Sequence, residues 1–299
     1  MAGAFTAVDL SQLPAPDVID EISFEDILAS ALADLVSRAP EFDALVESDP
    51  TMKAMQVASY VALLTRQRIN EAARAVMLAY AAGADLDQIG ANFSVARLTL
   101  DPGDAAAVPP VPAIYESDTD LRRRVQLSPE AYTVAGSAAS YVFHALGADP
   151  EVRDAEAVSP APGVVTIYVL SRVGSGAASV DLIDAVAAVL SADTVRPMTD
   201  SVVVQSASVT EYQITAALTV YPGPDAEIIR ATSEEAALAY AAAQHRLGYD
   251  VTLSGIYAAL HQAGVQNVAL ASPAAGIVMG DGEAAFCTAV TVTIGGVDV

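Results

Sequence analysis

The spacing of apolar residues divides the chain into a helix-patterned first half and a second half in which strand and helix periods alternate. Phe24, Ile27, Leu28, Ala31, Leu32 and Leu35 recur at helical steps and predict one amphipathic helix ending before Pro40. Ser23 with Asp26 three residues later resembles a capping box at its start. Asp49-Pro50 predicts a second helix start, because proline is preorganised for the first turn. The pattern that follows runs to Ala82, with Gly83 as its stop. Its first part, Val57 to Leu64, is apolar on nearly every side. Its second part narrows to a stripe through Ile69, Ala73, Val76 and Tyr80, opposite Arg66, Asn70 and Arg74. A helix this long needs neighbours along its whole length. The first helix is only about half as long at ~1.5 Å per residue. Part of the long helix is therefore expected to pack on another chain.

A short helix is expected around Asp85–Asn92, then a proline-rich connection through Pro102, Pro109, Pro110 and Pro112. From Glu116 three signals follow without a gap. The acids Glu116, Asp118 and Asp120 precede Arg122, Arg123 and Arg124. The small-residue break Ala135-Gly136-Ser137 opens an apolar helix through Tyr141, Val142, Phe143 and Leu146. Beyond Asp149-Pro150 the period becomes strand-like, over Val152–Val158 and Val164–Leu170. Further on, Val180–Leu190 predicts a helix, and Asp200–Val209 and Glu211–Tyr221 predict strands. Helices over Asp225–Leu247 and Leu253–Ala263 follow. Val265–Leu270 and Ala284–Ile294 read as strands with a turn at Asp281-Gly282 between them. The fold class is α+β: a helical amino-terminal region with a long helix, then mixed strand-helix-strand domains. The expected divisions are an extended acidic arm at 1–20, a helical region at 21–115 with the long helix at 51–82, a helical connector at 116–150, and α+β domains at 151–210 and 211–299.

Charge sharpens this picture. The net charge is −23, yet residues 51–130 hold 9 acids against 8 bases, while residues 1–50 hold 11 acids and a single base, Arg38. A surface this acidic repels phosphates, which argues against general nucleic-acid binding. Lys53 is the one lysine, and the other basic residues are arginines. Cys287 is the one cysteine and cannot form an internal disulfide. No basic-then-apolar leader opens the chain, so no secretory signal is expected. Val251–Gly280 is free of acids, lysine and arginine but contains His261, Gln262, Asn267 and Pro273. It reads as helix, turn and strand rather than a membrane span.

Candidate chemistry is sparse. Gly174-Ser175-Gly176 lies between a strand and a helix, where a phosphate-cradling loop could sit. However, Ser179 takes the place of the third glycine of a dinucleotide fingerprint. A soluble acidic α/β enzyme binding a phosphorylated ligand at this loop is the alternative reading of the chain. His144, His245 and His261 share no metal-ligand spacing. The acid pairs Asp85/Asp87 and Asp118/Asp120 sit at helix starts, where acids complement the dipole. No catalytic, cofactor-binding or metal-binding residue is assigned, and no enzyme activity or cofactor is expected. The arginine triplet leaves two readings open: local pairing with Glu116, Asp118 and Asp120, or a subunit interface.

The order of these stretches resembles the baseplate J-like family of contractile-tailed bacteriophages. The resemblance is carried by Ala84-Asp85-Leu86-Asp87-Gln88-Ile89-Gly90 and Val95-Ala96-Arg97-Leu98. It continues in the run from Glu116 to Arg124, Pro162-Gly163-Val164, Val195-Arg196-Pro197, Tyr221-Pro222-Gly223, Leu247-Gly248-Tyr249 and Gly264-Val265-Gln266-Asn267. It covers roughly residues 20–295. The resemblance implies a structural subunit of the tail baseplate wedge, located in the virion tail and assembled in the host cytoplasm. It implies a sixfold ring around the tail hub whose rearrangement triggers sheath contraction. The implied partners are other copies of the chain, a small tail-end wedge protein, a sheath-initiating protein of lysozyme-like fold, and the hub. Nucleic acid and membrane insertion are not among them. Copies would meet through a helical bundle and through carboxyl-terminal contacts, with the helix at 51–82 in the bundle.

Overall fold

The computed structural model describes residues 10, 13, 14, 16–133, 136–223 and 225–299. Most of the expected arm at 1–20, and Ala135 of the expected break at 135–137, lie outside the described residues. The chain forms two compact units: a helical one, Ala7–Arg97 with Ser117–Val125, and an α+β one containing Leu98–Glu116 and Gln126–Val299.

In the helical unit, α1 spans Phe24–Arg38, and Ser23 Oγ accepts from the Asp26 N–H at 3.2 Å, as the capping pattern predicts. Helix α2 spans Pro50–Ala75, capped by the Asp49 carboxylate on the Thr51 N–H at 2.7 Å. It stops well short of the expected end at Ala82. The reason is tertiary: Arg122 donates to the carbonyls of Leu78 at 2.7 Å and Ala81 at 2.6 Å. These acceptors are held in a turn in which the Tyr80 and Ala81 N–H groups share the Met77 carbonyl. Gly83, expected to terminate α2, instead begins α3 (Gly83–Asn92) with φ +53°.

Helix α3 crosses α4 (Asp118–Leu127) at Gly90, where an added Cβ would lie 2.6 Å from the Val95 carbonyl oxygen. Leu86, Val95, Leu121 and Val125 are buried here. Arg97 bonds Asp87 and Asp118, each at 2.7 Å, and the Gly83 carbonyl. Arg124 donates to the Ala96 carbonyl at 3.1 Å. Asp118, Arg122 and Arg124 thus have partners within the helical unit. Asp118 pairs with Arg97 and also lies in the field of Arg122, and Arg122 and Arg124 hold backbone carbonyls.

In the α+β unit, β1 (Thr99–Asp101) and β2 (Ile114–Tyr115) form a small antiparallel ladder. Glu116, buried, accepts from the Leu98 N–H at 3.1 Å. The central lobe has sheet order β3-β4-β5: β3 (Val152–Ala161) antiparallel to β4 (Val164–Ser171), and β5 (Ser201–Ser206) parallel to β4. Helices α5 (Ala138–Ala148) and α6 (Val180–Leu190) pack with it, burying Tyr141, Leu146, Ile167, Val169, Val186 and Leu190. The Tyr141 hydroxyl donates to Asp200 at 2.9 Å.

The carboxyl-terminal lobe has sheet order β7-β6-β8, from β7 (Val265–Ser272), β6 (Ser208–Val220) and β8 (Glu283–Val297). Helices α7 (Ala226–Gln244) and α8 (Leu253–Leu260) join its core. Here the structure corrects a pairing: β7 and β8 are not neighbours across Asp281-Gly282. Instead β6 lies between them, antiparallel to β7 and parallel to β8. On β6 every second residue from Tyr212 to Val220 is buried, and the strand most committed to the core takes the place where both edges are paired.

Two predictions follow from the helical unit. Arg122→Ala should destabilise it by about 2–3 kcal/mol, since charged hydrogen bonds to buried carbonyls are lost, and urea unfolding followed by circular dichroism measures this. The Asp118 carboxyl is held below its usual value by the Gly83 N–H, and further by Arg97. A depressed acid adds stability that is present above its unfolded pKa and lost as pH falls through the folded one. Wild type should therefore lose stability steeply below about pH 4, and Asp118→Asn should flatten that slope.

Candidate assembly surface

Helices α1 and α2 form a hairpin whose apolar residues are at most half-buried, among them Ile27, Leu28, Leu32 and Leu35 of α1 and Met52, Met55 and Leu63 of α2. No residue of α1 is buried, and the buried residues of α2 are Ser59 and Asn70. Asn70 is fixed by a two-bond pairing with the backbone of Asp20, accepting from its N–H at 3.2 Å and donating to its carbonyl at 2.9 Å. The Ser59 hydroxyl is buried without a hydrogen-bond partner. The two most enclosed positions of α2 are therefore polar, with Met52, Met55 and Leu63 half-buried on the same helix.

A further set of large apolar residues of α2 lies in solvent. Val57, Tyr60, Val61 and Leu64 are 65%, 54%, 56% and 45% exposed, and their spacing places them on one helical face. Ile69, Val76 and Tyr80 are also exposed. The sequence pattern marked 57–64 as apolar all round. It could not say which side α1 would take, so Tyr60 and Val57 carry no distinct signal before the fold is known. Fully burying side chains of this size yields about 1.5–3 kcal/mol each. A two-helix hairpin has no other core to draw on. The helix as a whole belongs to the least acidic part of the chain, with Lys53, Arg66, Arg68 and Arg74 against Glu71.

The other residues singled out from sequence are occupied locally. Gly176 has φ +106°, and a Cβ there would meet Leu170 at 2.6 Å and His245 at 2.8 Å. Its N–H is bonded to the Val173 carbonyl, and the N-cap of α6 is filled by Ser179 on the Leu182 N–H. Gly176 therefore has its N–H bonded within the loop and packs against Leu170 and His245. His245 Nε2 lies 3.1 Å from the Ser175 carbonyl, and burial holds its pKa below the usual value. His144 is lowered for the same reason and stacks edge-on with Phe143. The Cys287 thiol is pushed up by burial. Asp87 and Asp118 are joined by Arg97. Among the described residues no helix is long and apolar enough to cross a membrane.

Comparison with known proteins assigns the chain to a family. The family model of the Baseplate J-like N-terminal domain matches residues 47–104, that of the central domain residues 133–206, and that of the C-terminal domain residues 212–293. Baseplate protein J of Escherichia phage P2 is 51% identical over 298 residues, covering 97% of this chain and 99% of that protein. The six-fold symmetrised cryo-EM structure of the anti-feeding prophage baseplate contains a chain 15% identical to this one. It aligns with a TM-score of 0.40 over 60% of this chain and 44% of that one, too slight a likeness to carry an argument. With three consecutive domain matches and a full-length relative at half identity, this chain belongs to the baseplate J-like family.

Proposed function

We propose that this chain is a structural subunit of the baseplate wedge of a contractile phage tail or a related particle. In this reading it sits in the virion tail after assembly in the host cytoplasm. It contributes to a sixfold ring around the hub and transmits the trigger for sheath contraction. Its partners are further copies, a small tail-end wedge protein, a sheath-initiating protein of lysozyme-like fold, and the hub itself. Family membership supports the baseplate role, and the relative from phage P2 bears that name.

The observation that carries the reading is the exposed apolar stripe of α2. A helix that keeps Ser59 and Asn70 inside and Val57, Tyr60, Val61 and Leu64 outside reaches its lowest free energy only with a second apolar surface against it. That is the property of an assembly component, and it asks for no reaction. Helical partners suit the stripe, because an i, i+3, i+4, i+7 row is what one helix presents to another.

Co-expression with the neighbouring tail proteins, followed by size-exclusion chromatography with light scattering, tests this. Val61→Glu and Leu64→Glu should leave the helical signal unchanged. Each should weaken assembly at least about 100-fold, since burying an unpaired charge costs roughly 3 kcal/mol or more. Assembly that survives both substitutions would remove the stripe from the interface.

A further inference from the structure

The joint between the central and carboxyl-terminal lobes is built differently from either lobe's core. Strand β3 opens with Val152, Arg153, Asp154, Ala155 and Glu156, in which Val152 and Ala155 belong to the central core. The three charged residues of this run are all used across the joint. Arg153 donates to the carbonyls of Ala242 at 2.9 Å and His245 at 3.0 Å, the acceptors left open where α7 ends. Asp154, only 3% exposed, accepts from the Leu247 N–H at 3.2 Å. Glu156 accepts from the Gly282 N–H at 2.8 Å.

Around these bonds the packing leaves no slack. Leu170, Ala207, Leu247 and Ala284 make a small buried apolar patch. Gly282 has φ +71°, and a Cβ there would meet the ring of Tyr168 at 2.5 Å. Ala207 is the single residue between β5 and β6. Its N–H is bonded to the Val169 carbonyl at 2.8 Å, and the next N–H, of Ser208, to Gly282 at 2.9 Å. A hinge needs residues free to change φ and ψ, and these are tied on both sides.

We propose that the first turns of β3 are a clasp that locks the two lobes into one rigid arm, so that the chain does not bend at Ala207 although separate family models meet there. Each of these bonds joins a charged side chain to a neutral backbone group, a charge-assisted contact stronger than one between two neutral groups. This inference is independent of the assembly role proposed above and concerns only the α+β unit.

Hydrogen exchange of the full-length chain, resolved by residue, tests it. In wild type the amides of Leu247 and Gly282 should exchange as slowly as those of Ile214 and Leu218 in the core of β6, since all four open together. Asp154→Ala and Glu156→Ala should each speed exchange at 247 and 282 at least tenfold, with the β6 amides unchanged. Asp154→Asn and Glu156→Gln, which keep an acceptor oxygen, should restore most of the protection. Gly282→Ala should loosen the same amides by displacing Tyr168 without altering any charge. Exchange at 247 and 282 at the rate of an open loop in wild type would overturn the proposal, even if every variant failed to fold. Unchanged exchange in both alanine variants would do the same.

Discussion

The fold depends on one repeated contact, an arginine guanidinium donating to backbone carbonyls where a helix ends. The last turn of a helix leaves carbonyls without partners and gathers partial negative charge. A guanidinium satisfies both at once, because it is always ionised and carries several donors in a plane. Arg153 does this for the end of α7, Arg196 for the Ser191 carbonyl after α6, and Arg172 for the Pro150 carbonyl just beyond α5. Arg122 and Arg124 close the turns that follow α2 and α3. Drawn into these contacts, much of the basic charge is spent within the chain, and the acidic net charge falls on the surface.

The two units rest on different sources of stability. Each lobe of the α+β unit has its own apolar core, centred on Ile167, Val186 and Leu190 in one and on Ile214, Leu218 and Ile256 in the other. Hydrophobic burial of this kind is sufficient for a domain to stand alone. The α1–α2 hairpin has nothing comparable. Its order comes from caps at Ser23 and Asp49 and from the Asn70 pairing, contacts that fix direction but bury little. One part of the chain has apolar cores of its own, and the other leaves an apolar stripe in solvent.

Much of this was legible in the residues. The helix starts at Ser23 and Asp49 and the helix Val180–Leu190 are set by local chemistry, so their positions follow from sequence. The α+β class follows from the change of period after Asp149. Local signals failed where distant residues decide. The end of α2 depends on Arg122, more than forty residues away. The placing of β8 beside β6 depends on which strand is most deeply buried, and a turn signal such as Asp281-Gly282 carries no information about that. For the arginine triplet the sequence left local pairing with the acids and an interface open, and only the fold puts Arg122 and Arg124 on the Leu78, Ala81 and Ala96 carbonyls. The exposed stripe was half legible: its apolar content was plain, but its outward direction required α1.

The distribution of basic residues has a practical chemical consequence. Lys53 is the single lysine of the chain, and it lies exposed in the first turns of α2, one helical turn before Val57. The one lysine ε-amine of the protein thus stands at the head of the apolar stripe, held only by a surface hydrogen bond to Gln56. Acylation of lysine is therefore confined to this spot, on the same helical face as the stripe. A reagent that cannot distinguish one lysine from another becomes, in this protein, a reporter of a single helical face.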